Sequence, residues 1–239
     1  MSDTFESETS RFRAERTRSQ SYFYPHSTVL VNKLDIREQS LLDKAEDRAV
    51  RMNSADRPEF KAFTLKEMQN IHKHLLSEVY PWAGKIRDYT TGRGDDVFAR
   101  PELIKPYFDK YVHGDLKKEK FLKGLPIEQF AERAAHYASE LNATHPFVDG
   151  NGRLTRVFIE DLAKNAGYHL DRTNLENKKQ DWYEAMAHSF KTKNTEKLAP
   201  LIQKALSPLE LKKNLINTPI SDRLKAQYKP PVASKGLKR

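Results

Sequence analysis

The amino-acid sequence predicts an all-α protein with one β-hairpin. Most of the chain carries apolar residues at the three- and four-residue steps of amphipathic helices. A hydroxyl residue followed three positions later by Glu, at Thr64 and Glu67, is the capping box that opens a helix. A turn-forming cluster at 92–95 separates two short runs, which is the pattern of a hairpin. With 38% hydrophobic residues among 239, the chain can form one domain with a core.

The elements before position 100 are expected to be two helices and the hairpin. Asp35–Met52 has one apolar face, which predicts the first helix. The capped helix is expected to run to about Val79 and to stop at Pro81, since proline cannot continue a helix. The hairpin strands are expected at Lys85–Thr90 and Asp96–Arg100.

Five helices with regularly spaced apolar residues are predicted after the hairpin. Two of them open on proline, which suits the first helical turn, and another is followed by glycine, a common helix end. They are expected from Pro101, from Pro126 to about Asn142, over 153–166 with Gly167 as the stop, near 177–191 and near 195–206.

The two ends of the chain differ from its middle. Residues 1–20 are polar without periodicity and are expected to be a disordered leader, followed by a folded domain over 21–206. The remaining 207–239 are expected to be a basic extension, because Lys204–Arg239 carries +7 of the net charge of +9. A nucleic-acid-binding domain concentrates its charge on the folded core. The core carries only +2, so no nucleic-acid partner is expected.

Composition also excludes several classes of protein and site. No segment approaches the about 18 consecutive apolar residues of a membrane span. The polar N-terminal segment lacks the apolar stretch of a secretory signal. Cysteine is absent, which excludes disulfides, thiolate nucleophiles and cysteine-ligated metals.

Residues 145–156 combine the groups of a phosphoryl- or nucleotidyl-transfer site. Glycine-rich backbone at a helix start offers N–H donors to an anion, and the helix dipole favours negative charge there. A base, a hard oxygen ligand for Mg²⁺ and two guanidiniums on one helical face complete the set, which is His145, Asp149, Arg153 and Arg156. A plain turn is the alternative, since Asp-Gly and Asn-Gly favour hairpins, but both flanks have helical periodicity. The other seven histidines lack such company and are interpreted as surface or satisfied core residues.

The string HPFVDGNGRLTR at 145–156 resembles the signature of Fic (filamentation induced by cAMP) proteins, HPFx(D/E)GNGRxxR, at every specified position. Tyr80–Arg87 is similar to the family's entry into its β-hairpin flap. Tyr22–Pro25 and Thr173–Leu206 resemble the Fic modules of bacterial type IV secreted effectors. The resemblance covers about residues 20–205 and implies the Fic fold, a helical bundle with a small β-hairpin flap over the active site. In those effectors further domains follow the Fic module, which would make 207–239 the truncated beginning of a following domain.

The resemblance implies a protein adenylyltransferase that moves AMP from ATP onto a Ser, Thr or Tyr hydroxyl of a target protein. His145 would take the hydroxyl proton, and pyrophosphate would leave with Mg²⁺ held through Asp149. The ATP-binding residues would be Gly150, Asn151, Gly152, Arg153 and Arg156.

The resemblance also implies that the hairpin holds the target segment as an added strand through main-chain hydrogen bonds. The residues expected to dock the target are Lys85, Ile86, Arg87, Arg93, Asp95, Asp96 and Arg100. Main-chain pairing sets the register of the target but not its identity, so the hairpin charges are expected to help choose it. The alternative is that these charges only solvate a loop tip.

Two other functions stay open at this point. Some Fic relatives transfer phosphate, UMP or phosphocholine, but the phosphate-transferring ones place Lys where this chain has Gly152. A non-catalytic adaptor would be expected to have lost the His, Asp or Arg of the loop, and all of them are present.

The resemblance further implies partners and a location. The target is expected to be a protein of a host cell, such as a GTPase, reached from the bacterial cytoplasm by secretion into the host cytoplasm. The family's inhibitory helix carries (Ser/Thr)-x-x-x-Glu-(Gly/Asn), and none of the three nearest matches in this chain completes that pattern; they begin at Ser2, Thr4 and Thr192. A small antitoxin-like protein is therefore expected to supply, in trans, a carboxylate that reaches Arg156.

Overall fold

The computed structural model describes residues 19–209 except 94, 95 and 177. Residues 1–18 of the predicted leader and 210–239 of the predicted extension lie outside the described residues, so the predicted domain limits stay predictions. None of the helices in the described part has the length and apolar character that a membrane span requires.

The described chain is a bundle of helices with two small sheets, which confirms the predicted all-α class with a hairpin. The helices are α1 Gln39–Asn53, α2 Leu65–Leu76, α3 Pro101–Tyr107, α4 Asp115–Lys118, α5 Ile127–Thr144, α6 Asn151–Asn165, α7 Arg172–Glu176, α8 Lys179–Thr192 and α9 Ala199–Ala205. A π-helix, Phe108–Gly114, joins α3 to α4, and a 3-10 helix, Lys120–Leu122, follows. The antiparallel strand pairs are β1 Gly92–Arg93 with β2 Asp96–Val97, and β3 Tyr168–Leu170 with β4 Leu206–Pro208.

The core is centred on α5 and α6, the two helices that flank the predicted active loop. Helix α5 contacts α6, α8 and α9, and α6 also contacts α2 and β3. Both helices bury a continuous apolar face, which includes Phe130, Tyr137, Leu141, Leu154, Val157, Phe158 and Leu162. Each such side chain stabilises the fold by about 1.5–3 kcal/mol relative to an exposed one. The loop between α5 and α6 is therefore anchored at both ends in the most buried part of the molecule.

A buried ion pair fixes α6 against the segment before α2. The Asp161 carboxylate is 4% exposed and accepts hydrogen bonds from Arg57 Nη1 at 2.8 Å and Nη2 at 2.7 Å. It also accepts the backbone N–H of Phe60 at 2.8 Å, and the Phe60 ring packs edge-on against Phe158. A bidentate ion pair whose carboxylate also accepts a backbone N–H specifies one geometry. The Arg57–Asp161 pair therefore sets the position of α6 along its own axis.

The predicted capping box of α2 is confirmed. Thr64 Oγ1 accepts the backbone N–H of Glu67 at 3.2 Å, and Glu67 Oε2 accepts the backbone N–H of Thr64 at 3.0 Å. The helix ends at Leu76, a few residues before the predicted end at Val79. The other predicted helices are present with similar shifts at their ends; α1, for example, begins at Gln39 and not at Asp35.

The hairpin is shorter than predicted, and the expected strand at Lys85–Thr90 is wrong. The backbone of this segment pairs with the end of α5 instead of with a strand, since the Arg87 N–H donates to the Pro146 carbonyl at 2.9 Å. On the other side of the hairpin, the Ala99 N–H donates to the Ala143 carbonyl at 2.9 Å. Both stems of the hairpin are thereby attached to the residues around His145.

The second sheet and α7 were not predicted from the sequence. Strands β3 and β4 have three residues each, too few to show the alternation that identifies a strand. Their pairing joins residues about forty positions apart, with Tyr168 opposite Pro208 and Leu170 opposite Leu206. It holds the chain after α9 against the end of α6.

Candidate active site

The loop between α5 and α6 begins and ends in left-handed backbone. His145 is the C-cap of α5 with φ 40° and ψ 60°, and Gly150 precedes α6 with φ 80°. A Cβ atom at Gly150 would lie 3.0 Å from Leu76 Cδ1 and 3.3 Å from His72 Nε2. Glycine is therefore required at Gly150 both by its backbone conformation and by the space around it.

The side chain of Asn151 closes this loop on itself. Its Oδ1 accepts the backbone N–H of Phe147 at 2.9 Å, and its Nδ2 donates to the Phe147 carbonyl at 2.8 Å. Phe147 is fully buried. With its amide directed to the loop, Asn151 can offer a phosphate its backbone N–H, which is the part predicted for it from the sequence.

A buried histidine supports the loop from below. His72 Nδ1 accepts the backbone N–H of Gly84 at 2.7 Å, so Nε2 carries the proton and donates to the Asp149 carbonyl at 3.0 Å. The imidazole stacks on Phe147 with 4.0 Å between ring centroids. Burial lowers the pKa of His72 to about 4, so the ring stays neutral near pH 7. It is a satisfied core residue, as predicted, but the sequence did not indicate that its partner is the active loop.

Arg87 joins the end of α5 to the hairpin. Its side chain is 1% exposed and donates to the carbonyls of Thr144, His145, Tyr89 and Ala99. The contact with the His145 carbonyl is 2.7 Å. Arg87 was predicted to be a target-docking residue, but its guanidinium is enclosed by backbone carbonyls. Its contacts hold the backbone of His145 in place.

A cavity of about 170 Å³ brings the predicted catalytic and ATP-binding residues together. His145, Asp149, Gly150, Asn151, Gly152, Arg153 and Arg156 all line it. The wall also includes residues that were not predicted from the sequence, namely Glu46 of α1, Asn142 of α5, and Trp182, Tyr183 and Met186 of α8. Helices from four parts of the chain therefore surround the loop.

Two of the charged groups of the cavity form an ion pair, and a third accepts a backbone N–H. Arg153 Nη1 donates to Glu46 Oε1 at 2.7 Å, and Asp149 Oδ1 accepts the backbone N–H of Gly150 at 2.7 Å. Asp149 is open to the cavity, but the surrounding protein raises the pKa of its carboxyl by desolvation, and the charge of Glu46 raises it further. A cation beside Asp149 would oppose both effects.

The residues present fit a magnesium ion that is shared with nucleotide phosphates. Mg²⁺ is commonly held by one or two carboxylates together with substrate phosphates and water. Asp149 is such a carboxylate, at the start of α6 where phosphate would lie. No group of three or more His, Asp or Glu in the described part of the chain could hold a metal by itself.

The structure describes the side chains of only some of the other predicted flap residues. Lys85 and Arg100 are exposed, and Ile86 is partly buried against the core. The side chains of Arg93, Asp95 and Asp96 lie outside the described residues. Phe98, just after β2, stacks on the His145 ring with 3.9 Å between centroids and 1° between planes. The hairpin thus reaches the predicted base directly.

A second, larger cavity lies beside the base of the hairpin. It has a volume of about 690 Å³ and is lined by Val97–Arg100, by the outer face of α5 and by the end of α8. Val97 and Leu103 are exposed at 63% and 51%. Phe98 belongs to the wall of this larger cavity, which we call the hairpin groove, and also contacts His145.

Comparison with known proteins identifies a family and several relatives. Residues 62–163 match the family model described as Fic/DOC family. Protein adenylyltransferase VbhT of Bartonella schoenbuchensis is 33% identical over 207 residues, which is 85% of this chain and 42% of the relative. The probable protein adenylyltransferase Fic of Escherichia coli K12 is 34% identical over 167 residues, 69% of this chain and 81% of the relative.

Solved structures give the same answer for the fold. The N-terminal Fic domain of a VirB-translocated effector from Bartonella quintana superposes with a TM-score of 0.73 at 26% identity, over 83% of this chain and 98% of that one. The BepC effector protein of Bartonella tribocorum, solved with AMPPNP, gives 0.71 at 26% identity over 79% and 97%. The chain spans less than half the length of VbhT but most of the E. coli relative. From the intact signature loop, the helical fold around it and these relatives, we conclude that this chain belongs to the Fic/DOC family.

Proposed function

We propose that this protein is an adenylyltransferase that transfers AMP from ATP to a Ser, Thr or Tyr hydroxyl of a target protein. The observation that carries the proposal is the single cavity that holds His145, Asp149, the start of α6, Arg153 and Arg156 together. The relatives named protein adenylyltransferase support it. One base, one carboxylate and several phosphate-binding donors are what in-line attack on a nucleotide requires.

In the proposed reaction, His145 accepts the proton of the target hydroxyl. The hydroxyl oxygen forms a bond to the α-phosphorus of ATP, the bond from that phosphorus to the bridging oxygen breaks, and pyrophosphate leaves. Backbone N–H groups at the start of α6, with Arg153 and Arg156, hold the phosphates. Asp149 would hold Mg²⁺, which when bound neutralises phosphate charge.

Gly152 supports AMP over phosphate as the transferred group, because the phosphate-transferring Fic relatives place Lys at this position. A Cβ atom there would meet only the Arg156 guanidinium, at 3.8 Å, so no neighbouring protein atom in the described chain requires glycine. Its lack of a side chain instead leaves room in the cavity.

The target is proposed to bind along the hairpin. Phe98 links the hairpin to His145, and the 690 Å³ groove beside it could receive a side chain of the target segment. A host protein, for example a GTPase, reached after secretion from the bacterial cytoplasm, is consistent with the similarity to VirB-translocated effectors. We also propose that a small separate protein binds to this chain in trans and inhibits it.

The transferred group can be tested with labelled nucleotides. The purified chain is incubated with Mg²⁺, a host-cell lysate and ATP labelled at either the α- or the γ-phosphate. AMP transfer makes only the α label protein-bound. Kinases of the lysate also transfer the γ label, so the His145→Ala variant in the same lysate sets the background. Protein-bound γ label above this background would contradict the proposal and favour phosphate transfer, and no label above background with either nucleotide would favour an adaptor. Labelled UTP in a parallel reaction tests UMP transfer.

A further inference from the structure

Glu46 is a cavity residue that lies outside the signature loop. It belongs to α1 and stands 107 positions before its partner Arg153. Its Oε1 accepts a hydrogen bond from Arg153 Nη1 at 2.7 Å, and its Oε2 accepts one from the Tyr80 hydroxyl at 2.5 Å. The side chain is 12% exposed. Both oxygens of a nearly buried carboxylate are therefore occupied by protein donors.

The Tyr80 contact fixes the carboxylate in place. Tyr80 is 2% exposed and its ring stacks on Trp82 with 4.4 Å between centroids. Burial, followed by the charge of Glu46, raises the pKa of Tyr80, so its hydroxyl remains a donor. A carboxylate held by α1 on one side and by a buried hydroxyl on the other cannot move without loss of a hydrogen bond in a sheltered site.

We propose that Glu46 is a positioning residue that orients the Arg153 guanidinium for the phosphates of ATP. The proposal rests on the function proposed above. An arginine side chain carries about 2 kcal/mol of rotamer entropy, and a planar fork that is already oriented loses less of it on binding. A guanidinium has five N–H donors, and Glu46 accepts a hydrogen bond from one of them, at Nη1.

Other groups near Arg153 do not offer the same support. Asp47 Oδ1 lies 3.6 Å from Arg153 Nη2, but its side chain is 68% exposed, and such pairs contribute little. Asp149 lines the same cavity and is assigned to magnesium. Glu46 is thus the sheltered carboxylate that sets the orientation of Arg153.

A competing role for Glu46 predicts the opposite change in nucleotide affinity when its carboxylate is removed. If Glu46 occupied Arg153 in place of a phosphate, its removal would strengthen ATP binding. The hydrogen bond from Tyr80 favours positioning, because a competitor has to leave when the nucleotide arrives. The direction of the change in nucleotide affinity therefore decides between the two roles.

The test measures binding of AMPPNP with Mg²⁺ to the full chain by calorimetry. Glu46→Gln keeps the shape of the side chain and removes its charge. We expect the Kd to rise about three- to tenfold, and Tyr80→Phe to raise it less. Glu59→Gln is the matched control, because Glu59 pairs with Lys164 at 2.6 Å but is 52% exposed on the surface; its Kd should not change.

A double-mutant cycle separates positioning from a general structural role. In an Arg153→Ala background, Glu46→Gln should have no further effect on the Kd, because there is no guanidinium left to orient. Equal weakening in both backgrounds, an unchanged Kd, or tighter binding by Glu46→Gln would each overturn the proposal. Failure of the wild-type chain to bind AMPPNP would instead overturn the proposed function, and with it this inference.

Discussion

The loop between α5 and α6 and the β-hairpin above it are constrained in different ways. The loop is held from three sides, by Asn151 on Phe147, by His72 on the Asp149 carbonyl and by Arg87 on the His145 carbonyl. The hairpin has two-residue strands and is attached to the body at its stems. The groups proposed for chemistry therefore lie on rigid backbone, and those proposed for target choice lie on a short projection.

This difference fits the demands of the two tasks. Nucleotidyl transfer loses rate steeply when the reacting groups are misplaced by about 1 Å, which favours a locked loop. Recognition by strand addition needs only a register and a few side chains, which a short hairpin provides. Changes in the loop should therefore affect rate, and changes in the hairpin should affect which protein is modified.

The largest expected effect is that of His145→Ala. Loss of a positioned base should lower the rate of AMP transfer by about 10²–10⁴-fold. The Kd of AMPPNP should change little, because the phosphate contacts belong to α6. Transfer is measured with α-labelled ATP, and His74→Ala, on α2 outside the cavity, serves as the control. A near wild-type rate in His145→Ala would remove the base assignment.

The second-largest effect on the reaction is expected for Asp149→Ala. With the carboxylate removed, only nucleotide phosphates and water would hold Mg²⁺, and the magnesium midpoint of the reaction should rise about tenfold, the equivalent of one charge-assisted contact. The midpoint is read from a Mg²⁺ titration at saturating ATP. Identical midpoints for the variant and the wild type would exclude Asp149 from the metal site.

How far the sequence predicts this molecule depends on the distance between partners. The groups from His145 to Arg156 are close in sequence, so one loop between two helices brings them together, and the Thr64–Glu67 capping box is local in the same way. Glu46, His72 and Arg87 meet this loop from 107, 77 and 58 positions away. No spacing rule connects such residues, because the packing of α1 on α2 and of α2 on α6, together with the path of the segment after α2, decides their contacts.

His72 provides a test of how tightly the loop is held, through the pH dependence of stability. Its pKa is lowered from 6.5 to about 4 in the folded protein, so the unfolded chain takes up the proton first as the pH falls. Its contribution to stability is present above pH 6.5 and is lost between about pH 6.5 and 4, by about 3 kcal/mol in all.

The measurement is the free energy of unfolding by urea across this window. His72→Gln cannot titrate, so the difference in stability between wild type and variant should shrink as the pH falls. A difference that stays constant from pH 6.5 to 4.5 would show that the His72 pKa is not depressed, and would contradict a neutral His72 as the support of the Asp149 carbonyl.

The hairpin prediction concerns selectivity and not rate. Exchanging the charges of the tip, with Arg93→Asp, Asp95→Arg and Asp96→Arg together, should change which proteins in a lysate receive the α label. Self-modification should change less than about threefold, because surface charges contribute only tenths of a kcal/mol to a rigid site. An unchanged labelling pattern would favour the alternative that these residues only solvate a loop tip.

The smallest expected effect is the absence of activation when candidate inhibitory glutamates are removed. Inhibition in this family is expected from a carboxylate that reaches Arg156. Three segments match the inhibitory pattern incompletely, and of their three glutamates only Glu196 lies among the described residues. Glu196 lies just after α8, where it approaches His188 Nε2 at 3.4 Å and accepts from Asn194 Nδ2 at 3.0 Å. Its side chain is 61% exposed, and it is not among the described residues that line the cavity. Glu6 and Glu8 lie outside the described residues.

The isolated chain should therefore be active as purified, and changing Glu6, Glu8 and Glu196 together to Gln should leave its rate unchanged. A sheltered carboxylate on Arg156 would contribute about 1.5–3 kcal/mol, enough to compete with one γ-phosphate contact. Removing such a brake would raise the rate by about 10- to 150-fold, so the experiment has a large window. The cavity of this chain already contains one carboxylate on an arginine, but Glu46 binds Arg153, and our assignment makes it a support for ATP binding. Strong activation by the triple change would place the inhibitor within the chain, and activation by Glu46→Gln would identify Glu46 as that inhibitor.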